Sequence, residues 1–159
     1  MKRDILIATH NLDKLKELED LLNPLQFRLH FLHELPDFLP PEEDQDTLQK
    51  NAMKKALEAA KFSGLITLAD DTGLFIAALN DAPGIMSARF AGNSCSYSEN
   101  RHKVLLLLQN IQNRKAYFKT AVALAAPDGI MAIIEGRLDG EITTEEYGSN
   151  GFGYDSIFA

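Results

Sequence analysis

The sequence predicts an α/β domain whose second half is largely antiparallel sheet. Three stretches carry apolar residues at helical spacing, several short apolar runs have strand length, and two longer runs late in the chain are joined by Ala126-Pro127-Asp128-Gly129, a strong hairpin signal. With 159 residues, 45% hydrophobic and 25% charged, the chain fits a single domain over 1–159 with a packed core.

Taken in order, Ile5-Leu6-Ile7-Ala8 reads as a buried strand, and Thr9-His10-Asn11 supplies short polar residues suited to a turn and a helix cap. Leu12, Leu15, Leu18 and Leu22 then repeat at helical spacing until Pro24 stops the pattern. Strand, polar turn and helix start make an anion site: unpaired N–H groups and the helix dipole favour a phosphate over Thr9 to Asp13, with Lys14 reaching it from the first turn. The turn lacks the glycines of a P-loop or a dinucleotide fold. Residues 27–32 alternate as a second strand. A loop rich in proline and acid follows, in which Glu42, Glu43, Asp44 and Asp46 precede Thr47, an N-cap candidate. These acids either favour the helix start through its dipole or include ligands for a hard cation such as Mg²⁺. The next helix places Leu48, Ala52, Ala56, Ala59 and Ala60 on one side and ends at Gly64; Asn51, a mediocre helix former, is expected to be held by a side-chain hydrogen bond.

The centre of the chain is Leu65-Ile66-Thr67-Leu68-Ala69 followed by Asp70-Asp71-Thr72-Gly73, read as a strand that delivers two acids to a sheet edge before a glycine turn. Neighbouring strand residues face opposite ways, so one acid faces a ligand and the other is structural. The plainer alternative is a solvated strand-to-turn junction. Leu74 to Leu79 and the turn Asn80-Asp81-Ala82-Pro83-Gly84 follow, then a third helix signalled by the capping box Ser96 and Glu99, with Val104, Leu105, Leu107, Leu108 and Ile111 as core residues. After the hairpin and a short strand near Glu141-Ile142-Thr143, the run Gly148 to Asp155 interleaves glycines with Phe152 and Tyr154. It is read as a flexible loop presenting flat rings for stacking on a base, or as a glycine-rich turn with aromatics in the core.

The net charge of −7 argues against nonspecific nucleic-acid binding, which needs a basic face. Lys14, Lys16, Lys50, Lys54, Lys55 and Lys61 nevertheless concentrate positive charge early in the chain, as a local site for a small anion or as solvated helix faces. The single Cys95 forms no internal disulfide and points to a reducing compartment. No run has membrane-spanning length, and the apolar stretch after Met1-Lys2-Arg3-Asp4 is too short for a signal-peptide core, so a cytoplasmic protein is expected.

Together, Thr9-His10-Asn11 with Lys14 and Glu17, Glu42-Glu43 before Thr47, Asn51-Ala52 with Lys55-Ala56, Ala69 to Leu74, Ala82 to Ile85 with Ser87 to Gly92, and Gly151 to Asp155 with Ile157-Phe158 resemble the inosine triphosphate pyrophosphatase family over essentially the whole chain. The resemblance implies an elongated α/β fold with a mixed sheet, two lobes flanking a nucleotide cleft, and a homodimer. It also implies hydrolysis of aberrant purine nucleoside triphosphates (ITP, dITP, XTP) to monophosphate and pyrophosphate. Asp71 would orient or deprotonate water and hold Mg²⁺ with Glu42 or Glu43. Thr9, His10, Asn11, Leu12, Asp13 and Lys14 would bind phosphates with Thr72 beside them, and Phe152, Gly153, Tyr154 and Asp155 would contact base and sugar. Asp70 would be structural, and Arg89 would contact phosphate or a partner subunit. Thr72 stands where serine is usual, and Gln45 where many members have glycine. The family continues into a Lys and a Ser-His-Arg segment, so the apolar end at Ile157-Phe158-Ala159 implies a chain that is C-terminally incomplete. Two other readings are a non-catalytic nucleotide-binding protein and, from Asp71-Thr72-Gly73, a retroviral-type aspartic protease, whose fold is nearly all β.

Overall fold

The computed structural model describes residues 3–159. Its sheet has the order β2-β1-β3-β5-β6, with a short β4 paired to β3, and three helices. The strands are β1 (Asp4–Ile7), β2 (Arg28–Phe31), β3 (Ile66–Ile76), β4 (Pro83–Gly84), β5 (Lys115–Ala126) and β6 (Gly129–Glu141); the helices are α1 (Leu12–Leu22), α2 (Leu48–Ser63) and α3 (Tyr97–Leu107). β1 runs parallel to both β2 and β3, and β3 antiparallel to β4, so the sheet is mixed, as expected. Three well-formed helices exclude the nearly all-β aspartic protease fold. Among the described residues no helix is long and apolar enough to cross a membrane.

The chain forms two compact units, one of residues up to Asp71 with Ala121–Glu135, the other of Thr72–Thr120 with Gly136–Ala159. In the first, Ile5, Leu6, Ile7, Leu48, Ala52, Ala56, Ala59 and Ala60 are buried, the α2 stripe read from the sequence. Thr47 caps α2 by accepting from the Lys50 N–H at 3.2 Å, and Gly64 closes it in the left-handed region at φ 74°. The stripe on α1 is shallower than its spacing implied. None of its residues is fully buried, and Leu12 is 78% exposed because it stands in the first turn, off the half-buried line of Leu15, Leu18 and Leu22.

β1 and β2 carry a small ionic cluster. His30 places Nε2 3.0 Å from Asp4 Oδ1 and Nδ1 3.0 Å from Glu34 Oε2. Two carboxylate partners require both ring nitrogens to donate, which defines an imidazolium. These hydrogen bonds raise the His30 pKa above its ordinary 6.5 and lower those of Glu34 and Asp4 below 4.5 and 3.8. The histidine's contribution is therefore full below pH 6.5 and lost as pH rises through its raised value; the carboxylates' contribution is full above 4.5 and lost in acid. His30→Gln is expected to flatten the fall in Tm between about pH 6 and about pH 8, and a wild-type-minus-variant difference that does not change over that range would refute this.

In the second unit, Leu74 and Ile76 of β3 pack with Val104, Leu108, Ala116, Ile142, Tyr154 and Ile157. Arg114 staples this core by donating to three carbonyls, those of Ile142 (2.5 Å), Leu108 (3.0 Å) and Thr143 (2.5 Å). The Ser96–Glu99 capping box starts α3 as read, but Leu106, Leu107 and Ile111 lie exposed and only Val104 and Leu108 of that run are fully buried. The strand expected near residues 141–143 is the end of β6 plus a bridge from Ile142 to Phe158.

The largest correction concerns residues 70–73. They are not a turn: β3 runs unbroken through them, and Asp70 and Asp71 are each only 6% exposed, which removes the solvated-junction alternative. Gly73 serves close approach instead. A Cβ there would lie 2.5 Å from the Gly84 carbonyl oxygen and 2.9 Å from the Phe75 ring.

Candidate active site

Alternation along β3 turns the two aspartates to different partners, as expected. Asp70 takes the Lys14 ammonium at 2.6 Å, an ion pair tying the first turn of α1 to β3. Asp71 Oδ2 accepts from Asn51 Nδ2 at 3.0 Å, and its Oδ1 lies 3.7 Å from Lys55 Nζ. Lys55 in turn reaches Glu43 Oε1 at 2.6 Å. Asn51, 2% exposed, is itself fixed because its Oδ1 accepts from the Gln45 N–H at 3.0 Å. The expected side-chain hydrogen bond on Asn51 thus exists, and its far end aims the Asp71 carboxyl.

From the sequence, Asn51 has no role at the site, and Lys55 appears there only among six lysines that could hold an anion. Their i, i+4 spacing puts them on one face of α2, a signal the sequence did contain. Burial raises the Asp71 pKa above its ordinary 3.8, the positive charge of Lys55 opposes that, and Glu43 adds to it. A carboxylate whose pKa is raised by burial is a stronger base than one in water, as taking a proton from water requires.

Of the paired acids, Glu43 joins this constellation through Lys55, while the Glu42 backbone carbonyl accepts from Lys54 at 3.0 Å. The expected positive cradle of lysines is largely neutralised. Lys50 pairs with Asp46, Lys54 with Asp44, Lys55 with Glu43 and Lys14 with Asp70. The α1 start is also less bare than expected. Asn11 Oδ1 already accepts from the N–H groups of Asp13 (3.0 Å) and Lys14 (3.2 Å), while the Asn11 N–H donates to Thr9 Oγ1 at 3.2 Å. His10 and Leu12 are exposed on the same turn.

The remaining predicted residues lie in the second unit. Thr72 Oγ1 is 2.9 Å from Thr120 Oγ1. In the glycine-rich loop, Asp155 Oδ2 accepts from the Phe152 N–H at 2.9 Å and so pins the loop upon itself. Tyr154 does not offer its ring to a base. It is buried in the core and its hydroxyl donates to the Ser87 carbonyl at 2.8 Å, so of the two rings only Phe152 stays partly exposed. Of the two readings of this loop, the glycine-rich turn with an aromatic in the core holds for Tyr154.

Among the described residues no three His, Cys, Asp or Glu side chains are gathered as a ready metal site. The donor chemistry still fits a hard cation. The Glu43 and Asp71 carboxylates converge on one ammonium, and Mg²⁺ needs only one or two carboxylates beside its waters.

Sequence and fold both match the Ham1 family. The chain belongs to that family, whose model matches residues 5–159. It is 44% identical over 156 residues to the dITP/XTP pyrophosphatase of Desulforamulus reducens, covering 97% of this chain and 78% of the relative. To the dITP/XTP pyrophosphatase of Geobacter sulfurreducens it is 41% identical, with the same coverage. Its structure is similar to that of a HAM1 protein from Coxiella burnetii, with TM-score 0.88 and 40% identity over 98% of this chain and 81% of the other. The Staphylococcus aureus Ham1 protein gives TM-score 0.85 at 38% identity, covering 98% and 80%.

Proposed function

We propose that the chain hydrolyses aberrant purine nucleoside triphosphates such as dITP, XTP and ITP, releasing pyrophosphate and the monophosphate and so cleansing the nucleotide pool. The observation that carries this reading is the buried Asp71 carboxyl, aimed by Asn51 and flanked by the Lys55 and Glu43 charges. Relatives bearing the name dITP/XTP pyrophosphatase supply the substrate class.

The reaction splits the anhydride linkage between the α and β phosphates and needs an in-line water and neutralised oxygens rather than a covalent intermediate. Asp71 orients that water and accepts its proton, held to one rotamer by Asn51. Lys14 and Lys55 have carboxylate partners to exchange for phosphate oxygens, and the Thr9 to Asp13 turn flanks Lys14. Glu43 and Asp71 would hold Mg²⁺, which when bound neutralises phosphate charge. Thr72 is assigned beside the phosphates and the Phe152 to Asp155 segment to the base and sugar, with Tyr154 holding that segment from the core. The protein works as a cytoplasmic homodimer in this reading.

The direct test is pyrophosphate release from ITP, XTP, dITP, ATP and GTP, with and without Mg²⁺. Release that favours the first three and requires the metal is expected; triphosphate binding with no release would instead mark a non-catalytic nucleotide-binding protein. Lys14→Ala is expected to raise the Kd for ITP by about 10- to 100-fold, the loss of one charge-assisted hydrogen bond, and the Kd for IMP by less than about threefold. Equal weakening of both, measured by calorimetry, would place Lys14 away from the phosphates.

A further inference from the structure

α3 turns one face toward the glycine-rich loop. Tyr97 and Arg101 stand four residues apart, hence on the same side of the helix. The Tyr97 ring lies 6.1 Å from that of Phe152, centroid to centroid, and Arg101 Nη1 donates to the Gly153 carbonyl at 2.9 Å. The other edge of the same guanidinium is 3.0 Å from Glu146, whose carboxyl it holds below the usual carboxylate range and which also accepts from Ser156 Oγ at 3.2 Å. Arg101 thus bridges the segment entering the loop and the middle of the loop.

The loop depends on such a brace. Gly148, Gly151 and Gly153 all hold positive φ, so the unbraced segment has many competing conformations. Its contacts with itself run from Gly151 and Phe152 to Asp155. It curls around a solvent-open hollow of about 140 Å³ lined by Arg101, Glu146, Asn150, Phe152 and Ser156. Tyr154 and Asp155 anchor its far end, to the Ser87 carbonyl and the Phe152 N–H; between Gly148 and Gly153, Arg101 is the side chain of α3 that fixes a carbonyl.

We propose that Arg101 is a positioning residue which sets the shape of the Phe152–Asp155 segment and thereby the preference among purine bases, an inference that rests on the assignment of this segment to base binding. Discrimination between bases comes from polar groups held where the right base satisfies them and the wrong one does not. A loop free to adjust would bind every nucleoside triphosphate more alike.

The test uses Arg101→Met, which keeps the stem but removes the fork, and Arg101→Lys, which keeps charge and one donor. Arg101→Met is expected to lower the ITP-to-ATP ratio of kcat/KM by at least about fivefold, chiefly by raising KM for ITP, with kcat at saturating ITP within about twofold of wild type. Arg101→Lys should recover part of the ratio. Amide exchange at Phe152 to Asp155 should quicken in Arg101→Met, a readout independent of activity. Glu146→Gln, which loosens the aim of Arg101 from an exposed site, should move the ratio in the same direction and serves if Arg101→Met does not fold. A lower Tm with an unchanged ITP-to-ATP ratio, or unchanged exchange in the loop, overturns the inference. Wild-type protein that fails to prefer ITP is a separate result: it removes the proposed function, and the inference with it.

Discussion

Asp71→Asn is expected to lower kcat for pyrophosphate release from ITP by about a thousandfold while leaving Tm unchanged or raised. Activity falls because the amide neither accepts the proton from water nor carries the charge a cation would require, and a positioned base is worth about 10²–10⁴ in rate. Stability holds for a different reason. Asp71 is 6% exposed, and burial disfavours its charged form, so a neutral side chain of the same shape is relieved of that cost. The amide oxygen still accepts from Asn51, and Lys55 keeps Glu43 at 2.6 Å. Steady-state kinetics and thermal melts on the same preparations decide the matter. Near wild-type turnover at saturating Mg²⁺ would move the chemistry away from Asp71.

Gly73→Ala is expected to destabilise the protein by about 2–3 kcal/mol, a Tm loss of roughly 5–10 °C for a chain of this size. The cause is crowding and not an unfavourable dihedral. The added methyl would sit 2.5 Å from a carbonyl oxygen of β4, a backbone atom that moves only if the strand pair opens. Gly136 on β6 is the control, because a Cβ there meets nothing within 4 Å; Gly136→Ala should stay within about 0.5 kcal/mol. Equal, small effects at both positions, measured by denaturant melts, would show that β3 and β4 are not held at this spacing.

What was legible in the sequence was local. Thr47 and Gly64 announced the ends of α2 and the Ser96–Glu99 pair the start of α3, because a cap is made between residues three or four apart. The opposition of Asp70 and Asp71 followed from strand alternation alone. What lay hidden required a partner distant in the chain. Asn51 meets Asp71 across twenty residues, and Gly73 needs β4 beside it to explain itself, so without β4 it reads as a turn. Tyr154 misleads for a related reason. A loop with three glycines has no periodicity to show which ring is core, and only Ser87, sixty-seven residues earlier, reveals where its hydroxyl goes. The lysines deceived by their number: Lys50 meets Asp46 one helical turn away, which the spacing did show, but Lys14, Lys54 and Lys55 are paired with acids farther off in the chain.

The core that joins Leu74 and Ile76 to Ile142, Tyr154 and Ile157 also sets an order of events in biosynthesis. A ribosome adding about 5–20 residues per second leaves Leu74 and Ile76 waiting roughly 4–17 s before Ile157 is even polymerised. Throughout that interval the inner half of β3 is apolar chain without its cover, the kind of segment that chaperones hold. A nascent chain that stops near residue 150 has made Leu74, Ile76, Val104 and Leu108 but not Tyr154 or Ile157, and so presents to quality control an oily surface that the translated chain would have buried.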